Sequence, residues 1–575
     1  MEIHESEISR FLIESNDSIE KLFEVLNRVV TPNLGSGFAI CVNEKSEILG
    51  VITDSDIRKY LHQNNQMPRD IQAVMRQNFM SISWGISIDE TLEALNSQLK
   101  ARGWQTRLPI RFVPVLRNQV PVGIIDARDF ERALAGKRDL IVVIGLGHVG
   151  LTFSLAAATA KRTVIGIDSS ANRIAQLQAF TSYVREPGIN GLLEEQVGSN
   201  FFPISNLTGI QRAPGQNCSF MLCVGTPLLP NETLDSSQLD SAIRDVIPFF
   251  RPGDSIVIRS TVPVGTSKRI AKVIESALSW KVGTDFFIIS APERTVEGNA
   301  LEEIRTLPQV IGGVTKACLQ RGLEIFQDIS NHQVPVSSAQ VAELIKISSN
   351  AYRDYSFGFA NYLALVAYEF ELDINEVIEN ANYGYPRNSI SLPSPGVGGP
   401  CLSKDPYLLM ELSNVDLGSP IYHARKVNEF MPSHIYNLLA SGISEFDLGK
   451  TLLVGVAFKG RPEISDVRNS PSIDLAGVFA SHNLEISAWD CVAAYDTYSS
   501  AFSEYNPNFP YSVFMLMNNH EKNLDFVINA IRNSSEERVY LFDPWRLVKL
   551  PDVLATELQK EVHYYTLSNL HGVYK

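Results

Sequence analysis

One of the six cysteines, Cys401, stands in a sequence context that could make it a nucleophile. A glycine-rich stretch, residues 396–399, precedes it, and Lys404 and Asp405 follow it. Glycines let a backbone approach a ligand closely, and a nearby cation favours the reactive thiolate. A single cysteine is more often an inert buried thiol. These neighbours nevertheless favour covalent catalysis at Cys401.

A second group of polar side chains lies on a predicted helix. Between about 337 and 372 the sequence is mostly apolar, yet Glu343, Lys346, Asn350 and Arg353 recur at offsets of three, four and three. That spacing places them on one stripe of a helix. A buried lysine and asparagine need partners. The stripe is either part of a catalytic site or a polar seam between packed helices, and the sequence leaves both open.

A dinucleotide-binding pattern begins shortly after residue 138. An apolar strand leads into a turn with Gly145, Gly147 and Gly150, then a small-residue helix and a second strand that ends at Asp168. The three glycines suit a tight turn, close approach of a pyrophosphate and helix packing on the strand. A carboxylate at the end of the second strand accepts ribose hydroxyls and repels a 2′-phosphate. The pattern therefore favours NAD over NADP.

Three further apolar strands end in polar loops, at residues 225–227, 260–266 and 291–298. The carboxyl ends of parallel strands face one crevice, which is where ligands bind in doubly wound sheets. Ordinary turn chemistry explains each loop alone. Two carboxylates four residues apart, Glu293 and Glu297, beside threonine-rich turns indicate a functional site.

From about residue 445 a second alternation of strands and helices begins, without a dinucleotide fingerprint. Its first loop carries Lys459, Asp466 and Arg468 after a predicted strand. Cations at the carboxyl end of a strand suit an anionic ligand such as a diphosphate.

Residues 1 to about 135 contain a loose duplication. Each half has the order helix, strand, turn, strand, helix, with a period of about 60 residues. This indicates paired copies of one small α/β unit. A polar segment around Gly136 then resembles an interdomain linker.

Composition excludes several functions. The chain has 575 residues, 45% of them hydrophobic, and a net charge of −14, so it suggests about four globular domains and lacks the basic surface that nucleic acid requires. No apolar stretch approaches the length of a membrane span. The cysteines form no CxxC pair, so we expect no metal site. The protein is expected to be cytoplasmic, with no membrane partner.

Over residues 139–575 the sequence resembles the UDP-glucose/GDP-mannose dehydrogenase family. Seven motifs carry the resemblance in order: GLGHVG, VGTP, STVPVGT, PERTVEG, ELIKISSNAYRD, GVGGPCLSKDP and AFKGRPEISDVRNSP. The resemblance implies an α/β protein with two Rossmann-like doubly wound domains, joined by a long central helical dimerisation segment and preceded by a tandem CBS module. The boundaries expected for the four parts are 1–135, 138–335, 336–440 and 441–575.

The family oxidises the C6 alcohol of a nucleotide sugar twice, to the acid, with two NAD. Oxidation of the aldehyde needs a tetrahedral species, which a cysteine thiolate forms as a thiohemiacetal; the resulting thioester is then hydrolysed. By resemblance Cys401 is this nucleophile and Lys346 and Asn350 stabilise the oxyanion. Asp405 and a water positioned by Thr261 take part in proton transfer, and Glu293 is the general acid/base of the later steps.

The resemblance also implies binding residues. Those near NAD are Gly145, Gly147, His148, Val149, Gly150, Asp168, Arg173, Thr226, Ser260, Glu297, Lys404 and Arg468. Those for the nucleotide sugar are Gly398, Gly399, Lys459 and Arg387, of which Arg387 reaches across the dimer to the neighbouring substrate.

The features that bear on the substrate point in two directions. Residues 386–401 and Arg294 resemble the UDP-N-acetylhexosamine enzymes, while Lys404 is more typical of the UDP-glucose enzymes. Near the C-terminus, Asp543 is followed by Pro-Trp and then Arg546, where UDP-glucose enzymes have arginine two residues after the aspartate. A UDP-N-acetylhexosamine is expected slightly ahead of UDP-glucose or GDP-mannose.

The N-terminal duplication, with GVITDSDIR at residues 50–58, resembles a tandem CBS pair, a module that often binds adenosine-containing ligands. The family pattern implies that Thr53 and Asp56 hold a ribose; the second copy has IIDARD at 124–129 and lacks the hydroxyl. The pair is either an adenine-nucleotide sensor or a dimerising scaffold. A different class of function, a nucleotide-sensing protein with a degenerate dehydrogenase domain, is the alternative to an enzyme.

Overall fold

The structure, a computed structural model, divides into two compact units, residues 1–139 with 211–216 and residues 140–210 with 217–575. Each unit is described by itself. The linker predicted around Gly136 and part of the second IIDARD turn lie outside the described residues. The residues that the structure describes are 8–27, 37–86, 88–101, 112–126, 139–213, 215–229, 231–412, 419–568 and 570–574.

The first unit contains the predicted duplication. A short 3-10 helix, Ile8–Arg10, precedes two three-stranded sheets, β1-β2-β3 and β4-β5-β6, each with one parallel pair and one antiparallel hairpin. The elements of the first copy are β1 (Leu12–Glu14), α1 (Ile19–Asn27), β2 (Phe38–Val42), β3 (Ile48–Thr53) and α2 (Asp54–Asn64). Those of the second copy are β4 (Ile82–Ser83), α3 (Ile88–Ala101), β5 (Phe112–Arg117) and β6 (Val120–Asp126).

The two copies share an aromatic core. The ring of Phe112 in the second copy lies 5.4 Å from Phe11 and 5.6 Å from Phe38 in the first, measured between centroids. All three rings are buried. The copies are therefore halves of one hydrophobic unit.

The second unit begins with a doubly wound sheet in the order β14-β13-β12-β11-β10-β7-β8-β9, parallel except between β12 and β13. Its strand order reverses at β7, which pairs with both β8 and β10, so the crevice expected for a ligand opens there. The strands are β7 (Leu140–Ile144), β8 (Val164–Ile167), β9 (Phe201–Ile204), β10 (Cys218–Leu222), β11 (Ser255–Ile258), β12 (Phe287–Ser290), β13 (Gln309–Gly313) and β14 (Gln333–Pro335). The helices are α4 (His148–Thr159), α5 (Ala171–Gln178), α6 (Ile189–Gln196), α7 (Ser237–Val246), α8 (Thr266–Leu278), α9 (Ala300–Thr306) and α10 (Lys316–Phe326).

The predicted central helix is α11, 31 residues from Ala339 to Glu369. It packs closely on another long helix, since a Cβ on Gly358 would lie 2.7 Å from Ala424 Cβ. In the described part of the chain no helix is long and apolar enough to cross a membrane. The other helices of this region are α12 (Ile374–Asn382), α13 (Asp405–Glu411) and α14 (Pro420–Ala440).

The last part forms a second sheet in the order β17-β16-β15-β18-β19-β20-β21, parallel except at β21. The predicted α/β class with two Rossmann-like domains around a long helix is therefore confirmed, while the exact domain boundaries stay predictions. The strands are β15 (Thr451–Val454), β16 (Ser487–Trp489), β17 (Ser503–Glu504), β18 (Val513–Leu516), β19 (Arg538–Phe542), β20 (Glu561–Tyr565) and β21 (Leu570–Tyr574). The helices are α15 (Glu445–Leu448), α16 (Pro471–Ser481), α17 (Glu521–Asn533) and α18 (Pro551–Leu558).

Candidate active site

Cys401 lies in the turn that leads into α13. Its carbonyl oxygen accepts hydrogen bonds from the backbone N–H groups of Lys404 (3.2 Å) and Asp405 (2.9 Å). The residue is exposed to solvent, so small molecules can reach the thiol from one side. Protein atoms packed around the sulfur raise the pKa of Cys401, and the nearby Lys346 ammonium opposes that rise.

The Asp405 carboxylate connects this turn to the long helix. It is fully buried, and one of its oxygens accepts a hydrogen bond from Asn350 Nδ2 at 2.6 Å while the other binds Lys404 Nζ at 2.7 Å. Asn350 and Lys346 lie one turn apart on α11. The structure thus brings four of the predicted residues to the turn of Cys401: Lys346, Asn350, Lys404 and Asp405.

Glu343, on the same stripe of α11, has another environment. Its carboxylate accepts hydrogen bonds from Gly265 N (2.7 Å), Ser267 N (2.8 Å) and Ser267 Oγ (2.6 Å) at the start of α8. Arg353 is exposed. The stripe is therefore divided: the Lys346 charge acts on the Cys401 thiol and Asn350 binds Asp405. Glu343 instead accepts hydrogen bonds from the free N–H groups at the N-terminus of α8.

The glycines before Cys401 also serve packing against the last domain. A Cβ on Gly398 would lie 2.3 Å from Asn469 O, and one on Gly399 would lie 2.7 Å from the Phe458 ring. Gly399 has φ +86°, and its N–H donates to Arg468 O at 3.2 Å. Side chains at these positions would push the loop away from residues 458–471.

A buried polar network, which the sequence did not reveal, holds the same loop from the helical side. Arg425 on α14 forms an ion pair with Asp354 on α11 at 2.7 Å, and its other nitrogen donates to Val397 O at 3.2 Å. Asn361 Oδ1 accepts from Ser394 N at 2.8 Å, and its amide donates to Asn428 Oδ1 at 2.8 Å. In the sequence, this network is indicated only by polar side chains within otherwise apolar helices.

Lys459 and Arg468 border the site from the last domain. Lys459 Nζ donates to Glu297 O at 3.1 Å, and burial lowers the pKa of Lys459. Hydrogen bonds to Asp466 raise the pKa of Arg468, whose charge also acts on Glu297 and Cys401. The loops 291–298 and 457–471 therefore meet, with Lys459 at Glu297 and Arg468 close enough to act on the thiol.

The glycine turn fits a dinucleotide pyrophosphate. Gly145 has φ +88°, and a Cβ on Gly150 would lie 1.8 Å from Gly145 O, so neither position accepts a side chain readily. Among the described residues, apart from its chain neighbours and the nearby helix backbone, no atom lies within 4 Å of a Cβ placed on Gly147, which caps the start of α4. Open space at a helix N-terminus favours an anion. His148 and Val149 form the first turn of this helix.

Asp168 lies at the end of β8, as predicted. Its carboxylate accepts from Leu146 N (3.0 Å) and Ser170 N (2.9 Å), and Arg173 lies beside it at 3.4 Å. The corresponding aspartate of the last domain, Asp490, is closed off by four backbone N–H groups from residues 456–457 and 492–493. Asp490 thus has little capacity left for ribose hydroxyls, which agrees with the missing fingerprint.

The remaining predicted cofactor residues lie on the loops around this crevice. Thr226 Oγ1 donates to Thr261 O at 2.8 Å, and Ser260 Oγ donates to Val224 O at 2.7 Å, so the ends of β10 and β11 are linked. His148 binds the buried Glu186 at 2.7 Å. Glu186 in turn accepts from the N–H groups of Gly298 and Ala300, which links the glycine turn to the loop of Glu297.

Glu293 is buried and forms an ion pair with Arg259. Its second oxygen accepts from Arg294 N (2.7 Å) and Thr295 N (2.8 Å). Burial alone would raise the pKa of Glu293, but Arg259 and these N–H groups hold it at about 2. The carboxylate form dominates at neutral pH. To act as the predicted general acid, Glu293 must be protonated, and this environment disfavours the protonated form.

The predicted binding residue Arg387, and Arg546 at the departure from the UDP-glucose pattern, have partners other than the Cys401 turn. Arg387 is exposed and stacks over the Tyr385 ring at 5.5 Å, and among the described residues no contact joins it to the Cys401 turn. Arg546, after the strand-end aspartate, pairs with Asp373 at the start of α12. Its side chain thus ties the last domain to the helical region.

In the first unit Thr53 and Asp56 form a capping box at the start of α2. One Asp56 oxygen accepts from Thr53 N (3.0 Å) and Thr53 Oγ1 (2.7 Å), and the other binds Arg76 at 2.5 Å. These contacts explain both residues structurally. Ribose binding by the pair stays a prediction.

The parallel sheet, the glycine turn and Asp168 define an NAD-binding protein of the dehydrogenase class. A sequence model of the UDP-glucose/GDP-mannose dehydrogenase family, NAD binding domain, matches residues 139–330, and a model of the central domain of that family matches 340–429. The chain belongs to the UDP-glucose/GDP-mannose dehydrogenase family. A CBS-domain model matches residues 8–63, the first copy of the duplication, so the combination of a CBS domain with the dehydrogenase domains is confirmed.

Relatives support this assignment. UDP-N-acetyl-D-mannosamine dehydrogenase of Pyrococcus horikoshii is 31% identical over 354 residues, 61% of this chain and 83% of the relative. NDP-N-acetyl-D-galactosaminuronic acid dehydrogenase of Ralstonia nicotianae is 28% identical over 60% of this chain and 81% of the relative. The solved UDP-N-acetyl-mannosamine dehydrogenase of Staphylococcus aureus superposes with a TM-score of 0.62 at 25% identity, over 75% of this chain and 99% of that structure. The protein is an NAD-dependent nucleotide-sugar dehydrogenase.

Proposed function

We propose that this protein oxidises the C6 alcohol of a UDP-N-acetylhexosamine to a carboxylate through a covalent intermediate on Cys401. The observation that carries the proposal is the cluster of Lys346, Lys404 and Asp405, whose charges act on that thiol, with Asn350 hydrogen-bonded to Asp405. A purely binding protein would not require an accessible cysteine among these groups. The same observation argues against a degenerate dehydrogenase domain.

The residues divide the chemistry as follows. The Cys401 sulfur adds to the aldehyde carbon produced by the first oxidation, and Lys346 and Asn350 stabilise the oxygen that becomes negative in the thiohemiacetal. The second oxidation leaves a thioester on Cys401. A water positioned by Thr261 and Asp405 attacks its carbonyl carbon, the C–S bond breaks, and the free acid leaves.

The crevice beside β7 holds the cofactor. When bound, NAD accepts a hydride from the sugar C6 in each of the two oxidations. The chain's own groups would bind and orient it: the glycine turn would hold the pyrophosphate and Asp168 the adenosine ribose, and the cations Lys404 and Arg468 would also contact it.

The substrate assignment is supported by the relatives, which are dehydrogenases of N-acetylated nucleotide sugars. We assign contacts with the nucleotide sugar to Lys459, which is partly buried beside Glu297, and to the close loop at Gly398 and Gly399. UDP-glucose and GDP-mannose remain the alternative substrates, since Lys404 resembles the UDP-glucose type.

The test is NADH formation with UDP-N-acetylglucosamine, UDP-N-acetylgalactosamine, UDP-N-acetylmannosamine, UDP-glucose, UDP-galactose and GDP-mannose. We expect two NADH per sugar with one N-acetylated donor. Cys401→Ser abolishes acid formation, whereas Cys491→Ser, the partly exposed cysteine of the last domain, leaves it unchanged. Full acid production by Cys401→Ser would contradict the mechanism.

A homodimer or higher homo-oligomer is supported by an apolar stripe on α11. Tyr352, Tyr355, Phe359 and Tyr362 recur at helical spacing and are exposed in the single chain, next to Phe430 of α14. A second copy would cover this stripe, and Arg387 could then reach a neighbouring substrate. Light scattering that finds only monomers at micromolar concentration would contradict this assembly.

The CBS module is the reason for a second candidate function, adenine-nucleotide sensing, because Thr53 and Asp56 match the family pattern in the matched domain. A ligand there would regulate the dehydrogenase rather than replace it.

A further inference from the structure

Arg259 is a buried cation beside the crevice that the mechanism has not used. It follows directly after β11, is 1% exposed and precedes Ser260 and Thr261. One of its terminal nitrogens pairs with Glu293 Oε2, and the other donates to Ala291 O (3.3 Å) and Gln309 Oε1 (3.2 Å). The side chain therefore connects the ends of β11 and β12.

Aromatic rings fix the guanidinium in place. Arg259 Cζ lies 4.5 Å from the centroid of Phe153 and 5.5 Å from that of Phe326, and both rings are buried. Cation–π contacts of this kind strengthen when water is excluded. A charge held in such surroundings needs an anion, because an unpaired buried charge is costly.

Glu293 is the anion that meets this need. The nearby titratable group on the neighbouring strand end is the Cys223 thiol, and burial raises the pKa of Cys223 to about 12, so it stays neutral. Apart from Arg259, the donors to the Glu293 side chain among the described residues are the backbone N–H groups of Arg294 and Thr295. The carboxylate thus faces one fixed positive charge and two fixed dipoles.

We propose that Arg259 is a positioning residue that keeps Glu293 a carboxylate throughout the reaction, so that Glu293 orients a water or a sugar hydroxyl as an acceptor and does not donate a proton. The inference rests on the proposed function and deepens it. In thioester hydrolysis the water oxygen then bonds to the carbonyl carbon and the C–S bond breaks. One water proton goes to the Cys401 sulfur, and the other is released to solvent as the product ionises.

The kinetic test compares Arg259→Met, Arg259→Lys and wild type in pH profiles of kcat/KM from about pH 5 to about pH 9. Methionine fits between phenylalanine rings but removes the charge, so Glu293 takes up a proton more readily. We expect a new acid limb in Arg259→Met, with activity falling about tenfold per pH unit below it. Arg259→Lys keeps the wild-type profile at a lower rate. The control Arg269→Met, which removes an exposed arginine paired with Asp240, behaves as wild type.

Two results would contradict the role proposed for Arg259. A wild-type profile in Arg259→Met would overturn the proposal. A second result would also overturn it: an ionisation between about pH 5 and about pH 8 in the profiles of both wild type and Arg259→Lys that is absent in Glu293→Gln. Glu293 would then exchange a proton during turnover. This second comparison decides the question even when Arg259→Met does not fold.

Thermal unfolding tests the Arg259–Glu293 pair without any substrate. Its outcome therefore distinguishes a failure of this inference from a failure of the proposed function. In wild type the pKa of Glu293 is lower in the folded than in the unfolded protein, so this residue stabilises the fold at pH values above its unfolded pKa. That stabilisation is lost on acidification. Without Arg259, burial raises the pKa of Glu293 above its unfolded value. The stability of the Arg259→Met variant then falls as the pH rises, because the buried carboxyl ionises. We expect the Tm difference between wild type and Arg259→Met to be larger at about pH 8 than at about pH 5. A difference that does not change with pH, as expected for Arg269→Met, would overturn the proposal.

Discussion

The charges around Cys401 act on its thiol in opposite directions. Burial raises the pKa of Cys401, Lys346 and Lys404 lower it, and Asp405 and Glu297 raise it, with a raised pKa as the result. The thiolate is therefore the minor form near neutral pH in the free protein. Full reactivity needs either a higher pH or a bound molecule that changes this balance.

Opposite effects are expected from removing the two strongest charges. Lys346→Met raises the pKa of Cys401 and slows its alkylation by iodoacetamide at about pH 8, by roughly tenfold per unit of pKa. Asp405→Asn lowers that pKa and accelerates the reaction. Mass spectrometry of the Cys401 peptide over time gives both rates.

Cys491 is an internal control in the same experiment, because burial and Asp490 raise its pKa to about 12. Neither substitution changes its alkylation. If Lys346→Met and Asp405→Asn shifted the Cys401 rate in the same direction, the electrostatic account of this thiol would be wrong.

Residue types and spacing were sufficient to select Cys401, Lys346 and Asn350, because a helical stripe and a glycine loop are local patterns. They were insufficient for Glu343, whose partners lie 76 and 78 positions away at the start of α8. The helical spacing placed it correctly on the stripe but could not reveal which element faces it. Arg259 was missed for the same reason, since its partner Glu293 is 34 positions away.

The helices α11 and α14 act together as the support of the Cys401 loop. Close packing at Gly358 brings Asp354 and Arg425 together in the buried interface, and Arg425 also holds Val397 O. Removing one partner of a buried pair leaves an uncompensated charge. The network thus links the stability of the helical region to the position of the catalytic turn.

Arg425→Met is expected to destabilise the protein by about 3–5 kcal/mol and to lower kcat, because Asp354 loses its cation and Val397 O its donor. Adding Asp354→Asn recovers part of the stability, since no buried charge is left unpaired, but does not restore kcat. Denaturant unfolding and steady-state kinetics measure the two effects. Equal stability of the single and double variants would show that the pair contributes little.

The elements themselves were largely predictable. Apolar strands, the glycine turn and the long helix have strong local periodicity, and both doubly wound sheets follow from it. The closure of Asp490 was not predictable, because its four N–H donors depend on how the loops at 456–457 and 492–493 fold back. The capping box at Thr53 and Asp56 can be read as a local pattern, but it does not tell a cap from a ribose site.

Across the whole molecule the proposed chemistry and the proposed regulation lie in different compact units. Every residue proposed for catalysis or NAD binding belongs to the unit of residues 140–210 and 217–575, while Thr53 and Asp56 belong to the other. Each unit has hydrophobic clusters of its own. The residues proposed for catalysis therefore include none from the N-terminal unit, and the influence that we propose for that unit is regulatory.

A chain of residues 138–575 is accordingly expected to form NADH with the same donor sugar as the full protein. The two differ in their response to AMP, ADP and ATP. Adenine nucleotides compete with NAD at the glycine turn in both, so a competitive component in the kinetics is common to them. Inhibition or activation that persists when more NAD is added arises at the CBS module. We expect this NAD-independent response only in the full chain. Thr53→Val, which removes the hydroxyl and keeps the side-chain shape, loses this response and retains turnover. If the shortened chain and Thr53→Val both kept the full response, the N-terminal unit would be a scaffold and the ribose assignment of Thr53 and Asp56 would be wrong.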